Sequence, residues 1–190
     1  MARPALFLDR DGTIIADAHY PSEPDQVALL AGAAVAIARA NAAKIPVVVV
    51  TNQSGIARGH ITEAQYESVR TRLDDLLLAQ GAYVDATYHC PHWPERDGPC
   101  ECRKPGIGMH RDAARAMGLS LTASVYMGDR WRDVHPALTT GGLGILVPGE
   151  ETPMEDIVRA REFARPGIQV ATSITDAVAM ALTWIARARA

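Results

Sequence analysis

Ile45-Pro46-Val47-Val48-Val49-Val50-Thr51-Asn52-Gln53-Ser54-Gly55 places four consecutive valines between a proline and a polar turn ending in glycine. An unbroken β-branched run of this length reads as a strand buried on both faces, the habit of parallel sheets sandwiched between helices. Similar apolar runs at Ala5–Leu8, Val84–Tyr88, Ser124–Met127 and Leu143–Val147, with a weaker one at Ile168–Ala171, are separated by helical patterns. The alternation predicts an α/β fold with a doubly wound, mainly parallel sheet. The clearest helix runs from Thr62 to Gln80. Thr62 and Gln65 have capping-box spacing, Tyr66, Val69, Leu73, Leu76 and Leu77 form one apolar face, and Gly81 supplies the stop. Another amphipathic helix opens at Ser173 and Asp176 and ends in Arg187 and Arg189, while the charged stretch from Pro148 to Pro166 is expected as a surface helix or loop.

With 190 residues, 48% of them hydrophobic, the chain is expected to form a single domain over 1–190. A formal net charge of −3, from 19 basic and 22 acidic side chains, provides no large basic field for nucleic acid or an anionic membrane. No apolar stretch approaches the roughly 20 residues that cross a bilayer, so a soluble, cytoplasmic, monomeric protein is expected.

In a doubly wound sheet, ligands bind beyond the carboxyl ends of the strands. The first run is followed there by Asp9-Arg10-Asp11-Gly12-Thr13, the second by Thr51-Asn52-Gln53-Ser54-Gly55, and the fourth by Gly128-Asp129-Arg130-Trp131-Arg132-Asp133. Two carboxylates two residues apart at a buried strand end suit a nucleophile or metal ligand beside a general acid/base. Hydroxyl and amide groups on a glycine turn suit phosphate oxygens, and Lys104, in Arg103-Lys104-Pro105-Gly106, can neutralise a transferring phosphoryl group. Each fragment alone reads equally well as a helix cap or a solvated loop. Taken together, and in this order, they resemble the motifs of the haloacid-dehalogenase-like phosphatase superfamily.

That resemblance runs from Phe7 to about Val147 and implies a Rossmann-like sheet with a capless, open site. It makes Asp9 the nucleophile that becomes an aspartyl phosphate and Asp11 the acid and base. Thr51 and Lys104 become the holders of the phosphoryl group. Magnesium would be held by the Asp9 and Asp129 side chains and the Asp11 backbone carbonyl, with Asp133 in support. The physical need is direct, since a carboxylate approaches a phosphate dianion only if a hard cation and an ammonium offset the repulsion.

Cys90-Pro91-His92 and Cys100-Glu101-Cys102 gather all three cysteines and one imidazole within residues 90–102. This is a complete Cys3His set for a structural zinc ion, with His89 as a competing ligand. Because Cys102 is followed at once by Arg103 and Lys104, zinc would fix the entry to the catalytic lysine. The loop and the Ala16–Pro24 segment are expected to form the substrate rim. The wording of the zinc loop and of Thr51 through Gly59 resembles the branch of the family that dephosphorylates sugar phosphates, with histidinol phosphate as the alternative substrate. The resemblance implies substrate contacts from Asp17, Ala18, His19 and Tyr20, from Thr51, Asn52, Gln53 and Ser54, and from Arg58, Arg103, Lys104 and Arg130. A second phosphate would fall to Arg103 or Arg58, whose forked geometry suits it. A catalytically silent binding domain would lack one of these carboxylates, and all are present.

Overall fold

Six parallel strands in the order β3-β2-β1-β4-β5-β6 form the frame of the computed structural model, which describes residues 2–18, 20–164 and 167–188. The strands are β1 (Leu6–Leu8), β2 (Val47–Asn52), β3 (Ala86–Cys90), β4 (Val125–Gly128), β5 (Leu143–Leu146) and β6 (Ile168–Val170). The helices are α1 (Ala33–Ala42), α2 (Glu63–Leu78), α3 (Pro94–Asp97), α4 (Gly108–Met117), α5 (Trp131–Val134), α6 (Pro136–Thr140), α7 (Met154–Glu162) and α8 (Ile174–Ala188). Each strand expected from the sequence forms, with ends shifted by a residue or two.

The valine run shows why the sheet is double-sided. Val47 and Val49 enter one core with Leu6, Leu8, Val125 and Met127, under Ile37 of α1, Val69 and Leu73 of α2 and Val178 of α8. Val48 and Val50 enter the other with Phe7 and Tyr126, under Met109 of α4, Val134 of α5, Ala137 of α6 and Ala160 of α7. Successive side chains on a strand point to opposite faces, so a strand with helices on both sides must be apolar at every position.

α2 is capped as its sequence predicts. Thr62 Oγ1 accepts from the Gln65 N–H at 3.2 Å, and Gln65 Oε1 accepts in return from the Thr62 N–H at 2.9 Å. Tyr66, Val69, Leu73 and Leu77 are buried, and Gly81 takes φ +73° just past the end. The charged stretch after Pro148 resolves as α7, with Ala160 buried against the sheet and Glu155 and Asp156 in its first turn. α8 begins at Ile174, where Ser173 Oγ accepts from the Asp176 N–H at 3.1 Å. Arg189 lies outside the described residues. No described helix is long and apolar enough to cross a membrane.

The order reverses at β1. The chain runs outward from it through β2 and β3, then returns to its other side through β4, β5 and β6. Such a reversal opens a crevice at the carboxyl ends of the central strands.

Candidate active site

The crevice is built from the residues that immediately follow β1, β2 and β4. The Asp9 N–H donates to the Met127 carbonyl at 2.9 Å, which extends the β1–β4 ladder by one residue and fixes Asp9 at its rim. The chain then turns sharply at Gly12, with φ +73°. A Cβ here would lie 2.7 Å from Asp129 Oδ2, so only glycine lets the turn pass this close to the carboxylate. Gly128 does the same for Asp133, since a Cβ on Gly128 would stand 2.3 Å from the Asp133 Cβ.

Asp9, Asp129 and Asp133 each offer a carboxylate oxygen within 4.8 Å of the others, and all three are buried. Lys104 stands among them, its Nζ 2.7 Å from Asp9 Oδ1 and 2.7 Å from Asp133 Oδ1. Burial works against the ammonium, but the Asp133 and Asp9 carboxylates outweigh it and hold its pKa above the ordinary lysine value. The lysine backbone is held as firmly: Asn52 Nδ2 donates to the Lys104 carbonyl at 3.1 Å, and the Lys104 N–H donates to Asn52 Oδ1 at 3.0 Å.

One ammonium does not neutralise three buried carboxylates. Burial, reinforced by the charges on Asp133 and Asp9, pushes Asp129 up to about 7 against the pull of Arg130 and Arg132. A hard dication relieves that excess, so the donor set fits magnesium.

Asp11 points into a different set of partners. Arg10 clamps it from below, Nε to Oδ1 at 3.0 Å and Nη2 to Oδ2 at 2.9 Å, and Gln53 Nε2 donates to Oδ2 at 2.8 Å. Gln53 Nε2 also reaches Thr51 Oγ1 at 2.9 Å, which links the β1 and β2 ends. Arg10 is fully buried, with its guanidinium carbon 5.5 Å from the Tyr66 ring centroid. Burial pushes the Asp11 carboxyl up, opposed chiefly by Arg10. Proton affinity above the ordinary aspartate value is what a general acid requires.

Above this floor lies a cleft of about 310 Å3 lined by Asp11, Asp17, Tyr20, Pro21, Asn52, Gln53, Ser54, Arg58, Arg103, Arg130 and Arg132. Most of the expected substrate contacts are therefore brought together. Thr51 and Lys104 are buried beneath the cleft, Ala18 is exposed outside its lining, and His19 lies outside the described residues. Sequence reasoning assigned no role to Arg10 or Arg132. For Arg10 the available signal was its position between two acids at a buried strand end.

The zinc-loop residues converge as their spacing predicts. Sγ of Cys90, Cys100 and Cys102 and Nδ1 of His92 lie within 4.8 Å of one another. A tetrahedron with zinc–sulfur bonds of about 2.3 Å has edges of about 3.7 Å. Cys90 lies 3.7 Å from both His92 Nδ1 and Cys100 Sγ, while Cys102 sits closer in, 2.9 Å from Cys90, 3.3 Å from Cys100 and 3.1 Å from His92. Burial pushes the Cys90 and Cys102 thiols up, whereas at Cys100 hydrogen bonds with Cys102, the Arg103 amide, Cys90 and His92 overcome burial and bring it down to about 7, so a metal entering the set must displace protons from Cys90 and Cys102. The set fits zinc. Contacts also tie the loop to the cleft: the Gln53 N–H donates to the Cys90 carbonyl at 2.7 Å, Arg96 Nη1 to the Ala57 carbonyl, and Arg58 lies 4.7 Å over the Trp93 ring.

Comparison with known proteins identifies the family. Residues 5–136 match the Polynucleotide kinase 3 phosphatase family and residues 101–180 the HAD-hydrolase-like family. The chain belongs to the haloacid-dehalogenase-like (HAD-like) phosphatase family and is a phosphoric monoester hydrolase. Among its relatives is D-glycero-beta-D-manno-heptose-1,7-bisphosphate 7-phosphatase of Mesorhizobium japonicum, 43% identical over 77% of this chain and 70% of that protein. The enzyme of the same name from Escherichia coli K12 is 39% identical over 76% of this chain and 78% of that protein. The D,D-heptose 1,7-bisphosphate phosphatase of B. bronchiseptica, solved with magnesium and phosphate, superposes with a TM-score of 0.82 at 34% identity, covering 95% of this chain and 98% of that one.

The raised Asp129 predicts how cation binding responds to pH. A carboxyl at about 7 in the folded protein and 3.8 in the reference state keeps a proton on folding. It therefore contributes stability below about pH 4 that is lost as pH rises to about 7, and the metal-free protein carries the full deficit above that. Below 7 the proton competes with the cation, about tenfold per pH unit. Magnesium is expected to raise the thermal midpoint more at pH 8 than at pH 6. An equal or larger rise at pH 6 would remove Asp129 from the cation site.

Proposed function

We propose that this protein hydrolyses the 7-phosphate of D-glycero-D-manno-heptose 1,7-bisphosphate through an aspartyl phosphate on Asp9, with magnesium at the catalytic site and zinc in the 90–102 loop. The observation that carries the reading is the buried Asp9–Lys104–Asp129–Asp133 cluster beneath a cleft rich in arginine, in a chain resembling enzymes of that name.

Magnesium, held by Asp9, Asp129 and the Asp11 carbonyl with Asp133 in support, would supply positive charge to the phosphate oxygens. A carboxylate oxygen of Asp9 attacks phosphorus while the bond to the sugar oxygen breaks. Asp11, facing the cleft, gives its proton to that departing oxygen. Left as a carboxylate beside Arg10, Asp11 then takes a proton from water as the water oxygen attacks phosphorus. The aspartyl–phosphate bond breaks, inorganic phosphate leaves and both carboxyl groups return to their starting state. Lys104 bridges Asp9 and Asp133 and keeps the nucleophile oriented, while Thr51, held by Gln53, offers its hydroxyl to the transferred group. Arg58 and Arg103, on the zinc-loop side, take the second phosphate. His92 remains the zinc ligand, since His89 pairs with Glu63 at 2.7 Å.

Phosphate release is to be compared for the heptose 1,7-bisphosphate anomers, heptose 7-phosphate, fructose 1,6-bisphosphate and histidinol phosphate. The expected result is a kcat/KM for heptose bisphosphate above the others by at least ~10-fold. Preference for histidinol phosphate would overturn the substrate and leave the chemistry standing.

A further inference from the structure

Four arginines and two aspartates line a cleft in a chain whose formal net charge is −3. The transferring phosphoryl does not require them, because its charge is met from beneath by Lys104 and the cation held among Asp9, Asp129 and Asp133. The excess positive charge in the upper cleft is therefore available to a second anionic group.

The four arginines are not equally available. Arg58 is laid over Trp93 at 4.7 Å, Arg103 Nη1 reaches the His92 carbonyl at 3.4 Å, and Arg130 Nε donates to Asp129 Oδ2 at 3.2 Å. Arg132 differs. Its side chain is 47% exposed, and its ion-pair contact is Asp133 Oδ1 at 3.9 Å, an oxygen already 2.7 Å from Lys104. Its mount is nonetheless firm, because the neighbouring Trp131 N–H donates to Asp156 Oδ2 of α7 at 2.8 Å and the Trp131 ring lies under Arg159 at 5.3 Å. Although burial opposes its charge, the Asp133, Asp9, Asp129 and Asp11 carboxylates attract it through space, but among the described residues no hydrogen bond commits its fork. A guanidinium fork on a fixed base suits two-point capture of an oxyanion.

We infer that Arg132 is a further specificity-determining residue, holding the non-transferred phosphate of a bisphosphate from the β4 side of the cleft. Arg58 and Arg103 follow β2 and β3, on the other side of β1, so the second phosphate lies between two basic walls. The inference rests on the sugar-bisphosphate reading above.

The test uses the full chain with its metals bound. Arg132→Gln and Arg132→Lys are compared with the parent on heptose 1,7-bisphosphate and heptose 7-phosphate. Arg132→Gln is expected to lower the kcat/KM ratio of bisphosphate to monophosphate by at least ~10-fold, chiefly through KM for the bisphosphate. Arg132→Lys, which keeps the charge beside Asp129 and Asp133, should restore part of that ratio. An unchanged ratio in Arg132→Gln, or an equal loss on both substrates, overturns the role of Arg132. A parent enzyme with no preference for the bisphosphate overturns the substrate reading itself, so the two failures are separable.

Discussion

Asp9→Asn is expected to lower phosphate release by roughly 10^4-fold or more while leaving the fold in place. The amide has nearly the shape of the carboxylate, and its oxygen can still accept from Lys104 Nζ, now 2.7 Å from Asp9 Oδ1. What it lacks is an anionic oxygen able to bond phosphorus. Removing one of three buried carboxylates within 4.8 Å of one another also relieves repulsion, so the thermal midpoint of the metal-free variant should equal or exceed that of the parent. Mass spectrometry after acid quench should find the phosphorylated aspartate in the parent and none in the variant. Activity within about tenfold of the parent would remove Asp9 as the nucleophile.

Cys100→Ser carries the largest expected effect on stability. The parent should contain one zinc per chain and the variant markedly less, with a loss of about 3 kcal/mol, or ~6–12 °C in thermal midpoint for a chain of this size. The cause is local. Without the ion, Cys90, His92 and Cys102 no longer have a common partner, and the segment between β3 and α4 has little hydrophobic anchoring of its own: α3 is four residues long and buries none of them. Magnesium dependence should change less than stability, because Asp9 and Asp129 follow β1 and β4 and Asp133 stands on α5, all outside the 90–102 loop. A parent protein purified without chelator and found free of zinc would refute the zinc assignment.

Much of this was legible in one dimension. Val47 to Val50 specify a strand buried on both faces, Thr62 and Gln65 specify a cap, and the residues just past β1, β2 and β4 are where the crevice forms. Strand ends were less legible, because the hydrogen-bond ladder sets them rather than hydrophobicity. β2 continues through Thr51 and Asn52 because they pair with His89 and Cys90, and β3 begins later than its apolar run suggests. Contacts between distant residues were not legible at all. Asn52 clamps the Lys104 backbone from 52 positions away, and Asp156 supports Trp131 from 25 positions away. Arg10 illustrates the same limit. Only the three-dimensional turn at Gly12 shows that it is buried and committed to Asp11 rather than exposed.

The placement of β1 at the sheet's reversal separates two kinds of heritable change. The nucleophile sits on a strand end whose backbone is knitted into the ladder, Asp9 through the Met127 carbonyl, so its position is fixed by the core. The rim is different: Asp17, Tyr20, Arg58, Arg103 and Arg132 stand on connecting segments outside every strand. Rim side chains can be recharged or exchanged among descendants of one ancestor without moving the nucleophile. The architecture thus lets new substrates be tried while the reaction itself is inherited intact.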